Sequence, residues 1–171
     1  AIVEACFEMP DCGQVVLLPS GERRDKTIGL DRIHRLGLLE KLVQTVSIPE
    51  RVFIDPFELD QPELTETYKA VRYVEKEYGA NCRFVFGADS VATMATWHEG
   101  ERMLQTLPMA VVPREGFAVP NAPNIIELPL QGVETVSSTE VRQKIAQGDD
   151  VGGLVCGAIA EYIATRDLYT V

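Results

Sequence analysis

Residues 83–97 read RFVFGADSVATMATW, and this stretch narrows the range of folds more than any other in the chain. Arg83–Phe86 is an apolar, aromatic run of strand length that stops at Gly87. Strand, glycine, small residue, carboxylate is how a doubly wound α/β domain ends a strand at its ligand crevice. Glycine there lets the backbone approach a ligand closely, and Asp89 offers a two-oxygen acceptor suited to ribose hydroxyls. Asp89 ahead of Ser90, Val91 and Ala92 also fits a helix N-cap, and both uses stand open on the residues alone.

The flanking chain repeats the alternation. Apolar runs of strand length occur at Val15–Leu18, Arg51–Ile54, Met109–Val112 and Ile125–Leu128. Between them lie stretches with helical spacing: residues 1–8, Leu30–Thr45, Glu63–Tyr78 and Glu101–Leu107. In the second of these, Ile33, Leu36, Leu39, Leu42 and Val43 form the expected buried side. From Ser138 onward the pattern is helical, broken at Gly148–Gly153. Alternating strands and helices predict a single α/β domain over residues 1–171: a Rossmann-like, doubly wound parallel sheet with helices on both faces and a C-terminal helical tail. The length of 171 residues suits one such core, and no repeat or linker divides it.

A formal net charge of −10 argues against nucleic acid or an anionic membrane surface as the main partner. Basic residues gather locally, however: Arg23, Arg24, Lys26, Arg32, His34 and Arg35. They read as a solvated loop and helix face, with an anionic small ligand as the alternative. Four scattered cysteines without C-x-x-C spacing and only two histidines predict free thiols, no zinc site and a cytoplasmic setting. No apolar run reaches the roughly 18–20 residues of a membrane span. Ala1 is not a methionine, and the chain opens inside a helical pattern, which reads as the continuation of an upstream segment. Oligomeric state has no legible signal, although a homo-oligomer is compatible with the sequence.

A second stretch, Val136–Arg142, reads VSSTEVR. Ser137 with Glu140 three residues later is a capping box opening a helix. Ser138 and Thr139 add hydroxyls at that terminus, and Arg142 follows within the first turn or so. Free backbone N–H groups, the positive end of the dipole, hydroxyls and a guanidinium together suit a phosphate. Trp97, the only tryptophan, is either a core or rim anchor or a platform for an aromatic ring of a substrate.

Taken in order, AIVEACFE, VVLLPSGERRDK, DRIHRLGLLEKLV, FVFGADS, TWHEGERML, AVVPREGF, VSSTEVR and LVCGAIAEYIATRDLY resemble the nicotinate mononucleotide adenylyltransferase family of bacterial NAD biosynthesis over essentially the whole chain. The resemblance implies an enzyme that joins ATP to a pyridine mononucleotide and releases pyrophosphate, with Mg²⁺ entering alongside ATP. It implies that Gly87 and Asp89 meet the ATP ribose, and that Ser138, Thr139 and Arg142 hold adenylate and triphosphate. Lys26 matches a loop lysine near the phosphates, Ser20 and Gly21 a loop lining the mononucleotide, and Trp97 a tryptophan stacked on the pyridine ring. Thr67 matches the second threonine of a T-x-x-T pair whose first position here is Leu64. The family's opening strand and its H-x-G-H turn do not occur in these residues, and the expected explanation is a segment ahead of Ala1. The alternatives are another nucleotidyltransferase, such as a phosphopantetheine adenylyltransferase, and a non-catalytic nucleotide-binding relic. Because both reactants are phosphates ionised at neutral pH, the implied chemistry needs positioning and countercharge from Arg142, Lys26 and Mg²⁺ rather than a general base.

Overall fold

In the computed structural model, the described residues are 1–21, 29–61, 66–79, 81–128, 130 and 138–170. They fall into two compact units, each assembled from distant parts of the chain: Ala1–Cys6 with Thr65–Thr135, and Phe7–Leu64 with Val136–Val171. A short helix, α1 (Ile2–Phe7), opens the chain.

The first unit is built on three parallel strands, β3 (Phe84–Gly87), β4 (Met109–Val112) and β5 (Ile125–Glu127), in the order β3-β4-β5. Helix α3 (Thr67–Tyr78) precedes β3 in the chain, and α4 (Ala88–Thr93) and α5 (Gly100–Thr106) lie between β3 and β4. Every residue of the central strand β4 is buried, which is why its run is apolar without alternation. Met109 and Val111 pack with Val71, Val91, Met94, Met103 and Leu107 into one core. The Asn124 side-chain amide donates to the carbonyls of Leu104 at 3.0 Å and Leu107 at 2.8 Å, closing the open end of α5. The short, apolar Arg83–Phe86 run predicts a buried strand. Among the described residues β3 is hydrogen-bonded to β4 alone, and Val85 is 38% exposed.

In the second unit β1 (Val15–Leu17) pairs parallel with β2 (Val52–Ile54). Arg51, just ahead of β2, donates to the carbonyls of Cys12 and Gly13 and lies over the Phe7 ring, 4.8 Å from its centroid. Three helices belong here: α2 (Arg32–Val43), capped by Asp31, then α6 (Ser138–Gln147) and α7 (Gly157–Thr165). The buried position of α2 is Gly37, where the absence of a side chain admits the phenol of Tyr162 from α7 against the helix. Ile33, expected on the buried side, is 68% exposed, because α7 meets α2 one turn further on.

The α/β class and the parallel pairing hold. Among the described residues the strands are hydrogen-bonded as two parallel sheets, β1-β2 and β3-β4-β5. Expected boundaries shift by a few residues: the Val15–Leu18 run ends its strand at Leu17, and Arg51 falls in a 3-10 turn over Pro49–Arg51.

Candidate functional site

At the carboxyl end of β3 the chain turns directly into α4. Gly87 is the N-cap of that helix and makes no side-chain cap bond, so Asp89 is not the cap but stands in the first turn. Parallel pairing sets Gly87 opposite Val112 on β4. Asp89 and Arg114 therefore each lie two residues beyond a paired position, on neighbouring strands that run the same way. Their side chains meet there, Arg114 Nε lying 4.0 Å from Asp89 Oδ1. The Asp89 side chain is 53% exposed and Arg114 30% exposed, a geometry worth little to stability and open to a ligand. Asp89 Oδ1 occupies the space that a β-carbon on Gly87 would need, and Arg114 Nε would lie 3.4 Å from that carbon. Gly87 has ordinary backbone angles (φ −73°, ψ 149°), so its need for glycine comes from this close approach.

Two further candidate residues, Trp97 and Thr67, belong to this unit. Trp97 is half-buried with its ring edge-to-face on Phe86 of β3, centroids 6.3 Å apart. Thr67 begins α3, and the next residue, Tyr68, meets the His98 ring at 5.6 Å. The first turn of α3 thus stands beside the Trp97–His98 segment.

In the second unit the loop after β1 carries Ser20 and Gly21. Leu17 pairs with Ile54, and Gly21 and Glu58 each lie four residues past that pair. The Gly21 N–H donates to Glu58 Oε2 at 3.3 Å, and the backbone of Glu58 leaves no room for a side chain at position 21. Arg35 of α2 donates to the Ser20 carbonyl, and Arg32 pairs with Asp60 at 2.7 Å. Arg35 is thus tied to backbone, whereas the Arg32–Asp60 pair is half-exposed on both sides, as a solvated face would have it. On α6 the first-turn hydroxyl of Thr139 accepts from Arg142 Nη2 at 3.5 Å, with Ser138 exposed beside it. Arg142 and Arg35 both act on the Tyr169 phenol: burial pushes its pKa up, and the two guanidinium groups pull it down by less. Lys26, Leu64 and Ser137 lie outside the described residues.

Sequence reading passed over Arg114, Glu58 and Tyr169 as members of these sites. The first two become legible only through strand register; a stretch such as AVVPREGF does not state which residue it faces.

A cytidylyltransferase-like family model matches residues 1–144. The chain belongs to the cytidylyltransferase-like family. Among curated relatives of this family member, a Thermus thermophilus protein named probable nicotinate-nucleotide adenylyltransferase is 30% identical over 132 residues, spanning 76% of this chain and 70% of that one. A Salinispora arenicola protein of the same name is 26% identical over 164 residues, 91% of this chain and 85% of that one. Among solved structures, Plasmodium falciparum nicotinic acid mononucleotide adenylyltransferase complexed with NaAD superposes with a TM-score of 0.82 at 20% identity, covering 98% of this chain and 88% of that one. The last of these is a likeness of fold. Among the described residues no helix is long and apolar enough to cross a membrane.

Proposed function

We infer that this protein is a nicotinate-nucleotide adenylyltransferase acting in NAD biosynthesis. A phosphate oxygen of nicotinate mononucleotide attacks the α-phosphorus of ATP. The bond from that phosphorus to the bridging oxygen breaks, and pyrophosphate leaves with the electron pair. The observation that carries this reading is the agreement in name of relatives aligned over up to 91% of the chain. An exposed carboxylate over a glycine at a parallel strand's carboxyl end is compatible with it.

In this reading Asp89, beside Gly87, accepts from the ATP ribose. Ser138, Thr139 and Arg142 hold adenylate and triphosphate, and Lys26 adds countercharge. Trp97 supports the pyridine ring, with Thr67, Ser20 and Gly21 lining the mononucleotide. No proton has to be removed, because the attacking phosphate is already an anion, so Asp89 is a binding group and not a base. Mg²⁺ enters as the counterion of ATP. Such an ion needs substrate phosphates and at most one or two carboxylates. Four free thiols fit a cytoplasmic setting.

Acceptor competition tests the assignment. With ATP labelled at the α-phosphorus, the label should move to nicotinate mononucleotide in preference to nicotinamide mononucleotide and phosphopantetheine. Transfer to phosphopantetheine would move the chain to a different enzyme of the same fold, and binding without transfer would make it a non-catalytic relic.

A further inference from the structure

Asp89 is an exposed acid in the first turn of α4, and capping does not fix its carboxylate, because Gly87 occupies the cap position. What lies against it is Arg114. Beyond β4 the chain makes a four-residue turn over residues 114–117. The Phe117 N–H donates to the Arg114 carbonyl at 3.1 Å, and the two residues pair as an antiparallel bridge. Gly116 stands third in this turn at φ 80°, as a type II turn requires. Just past the turn, Val119 packs on the buried core of the unit. The backbone of Arg114 is thus tied by β4 before it and by the turn after it. Its side chain, 30% exposed, is the more shielded member of the pair.

Asp89 Oδ1 sits beside the Cα of Gly87 and faces Arg114 Nε at 4.0 Å. That separation is too long for a hydrogen bond, so the attraction between them is Coulombic. Such an attraction turns the acid without occupying either of its oxygens. Among the described residues Asp89 Oδ2 makes no hydrogen bond. A carboxylate turned in advance, with an oxygen still able to accept, loses less freedom on binding than one that must first be ordered.

We propose that Arg114 is a positioning residue that holds the Asp89 carboxylate over Gly87, ready for a ribose hydroxyl, and thereby sets the selectivity for ribonucleotide over deoxyribonucleotide. The proposal rests on the adenylyltransferase reading, in which Asp89 accepts from the ATP ribose. Arg114 acts through Asp89 and does not itself touch the sugar.

The probes are ATP, 2′-deoxy-ATP and 3′-deoxy-ATP, each titrated calorimetrically with Mg²⁺ into the full chain. The unaltered protein should bind ATP at least tenfold more tightly than one of the two deoxy analogues. Arg114→Met, which keeps most of the stem and removes the charge, should bring that ratio to threefold or less. Arg114→Lys, which keeps the charge, should retain fivefold or more, and Asp89→Ala should bring all three nucleotides within twofold of one another. Loss of packing alone would weaken the three together and leave their ratio unchanged. Equal affinity of the unaltered protein for all three, or an undiminished ratio in Arg114→Met, would overturn the proposal. A ratio that survives in Asp89→Ala but is lost in Arg114→Met would make Arg114 a direct contact and overturn it as well. Dinucleotide synthesis from ATP and nicotinate mononucleotide, assayed on the same samples, separates the two ideas. Synthesis with a ratio indifferent to Arg114 removes the positioning role alone, whereas an Arg114-dependent ratio without synthesis removes the enzymatic reading and keeps the positioning role.

Discussion

The carboxylate of Asp89 lies over the Cα of Gly87, in the volume that any side chain at position 87 would fill. Parallel pairing of β3 with β4 brings Arg114 to the same point, 4.0 Å from the carboxylate. A glycine with ordinary backbone angles is thereby tied to the orientation of a single exposed acid.

Gly87→Ala should therefore disturb ligand binding far more than folding. The new methyl displaces an exposed carboxylate, so thermal unfolding should change by no more than about 0.5 kcal/mol. The KM for ATP should rise about tenfold or more, as it should in Asp89→Ala. Wild-type ATP kinetics in both variants would remove Asp89 from the nucleotide site.

Arg142→Ala should lower kcat by about 100-fold or more, the size expected when one charged contact to a developing phosphoryl charge is lost. Mononucleotide affinity should change little. Steady-state kinetics with each substrate varied in turn reads both quantities.

Trp97 is the only tryptophan, so its emission reports on one position. Titration with nicotinate mononucleotide should quench it. Trp97→Ala should raise the mononucleotide KM about tenfold, which corresponds to a stacking interaction of about 1.4 kcal/mol. An emission spectrum indifferent to the mononucleotide would return Trp97 to a packing role against Phe86.

Gly37→Ala places a methyl where the Tyr162 phenol lies against α2. Both residues are buried, so the overpacked helix pair should lose about 1–3 kcal/mol in urea unfolding. The paired change Gly37→Ala with Tyr162→Phe removes the hydroxyl nearest that methyl and should recover part of the loss.

Stability should fall in alkali. Burial, with a smaller contribution from Glu75, raises the Cys82 thiol above its ordinary 9.0, and burial likewise raises Tyr169 above 10.0. Above those ordinary values, and until the raised ones are passed, the folded protein keeps protons that the unfolded chain has released, so rising pH favours unfolding. Urea melts from pH 8 to 11 should show the decline beginning near 9, and Cys82→Ala should remove its lower part.

The legible parts of this molecule are those whose signal is local. The strand Met109–Val112 is legible to the residue because a fully buried central strand is apolar throughout. The Ser138–Arg142 helix start and the Gly87 turn were likewise readable from adjacent residues. Ile33 is exposed although helical spacing puts it on the apolar face, because spacing says which residues share a face but not which turn of the helix a partner covers. The Asp89–Arg114 meeting depends on which residue of β3 lies opposite which residue of β4, and no local pattern states that. Tyr169 depends on the chain reversing after α7 through the left-handed residues Asp167 and Tyr169, at φ 49° and 64°, neither of which is a glycine.

The most direct test of the central claim is mass-spectrometric quantification of products from the protein mixed with Mg²⁺, ATP and nicotinate mononucleotide. The account predicts the adenine–nicotinate dinucleotide and pyrophosphate in equal amounts, with neither formed when the mononucleotide is omitted. Nucleotide binding with both substrates recovered unchanged would contradict it.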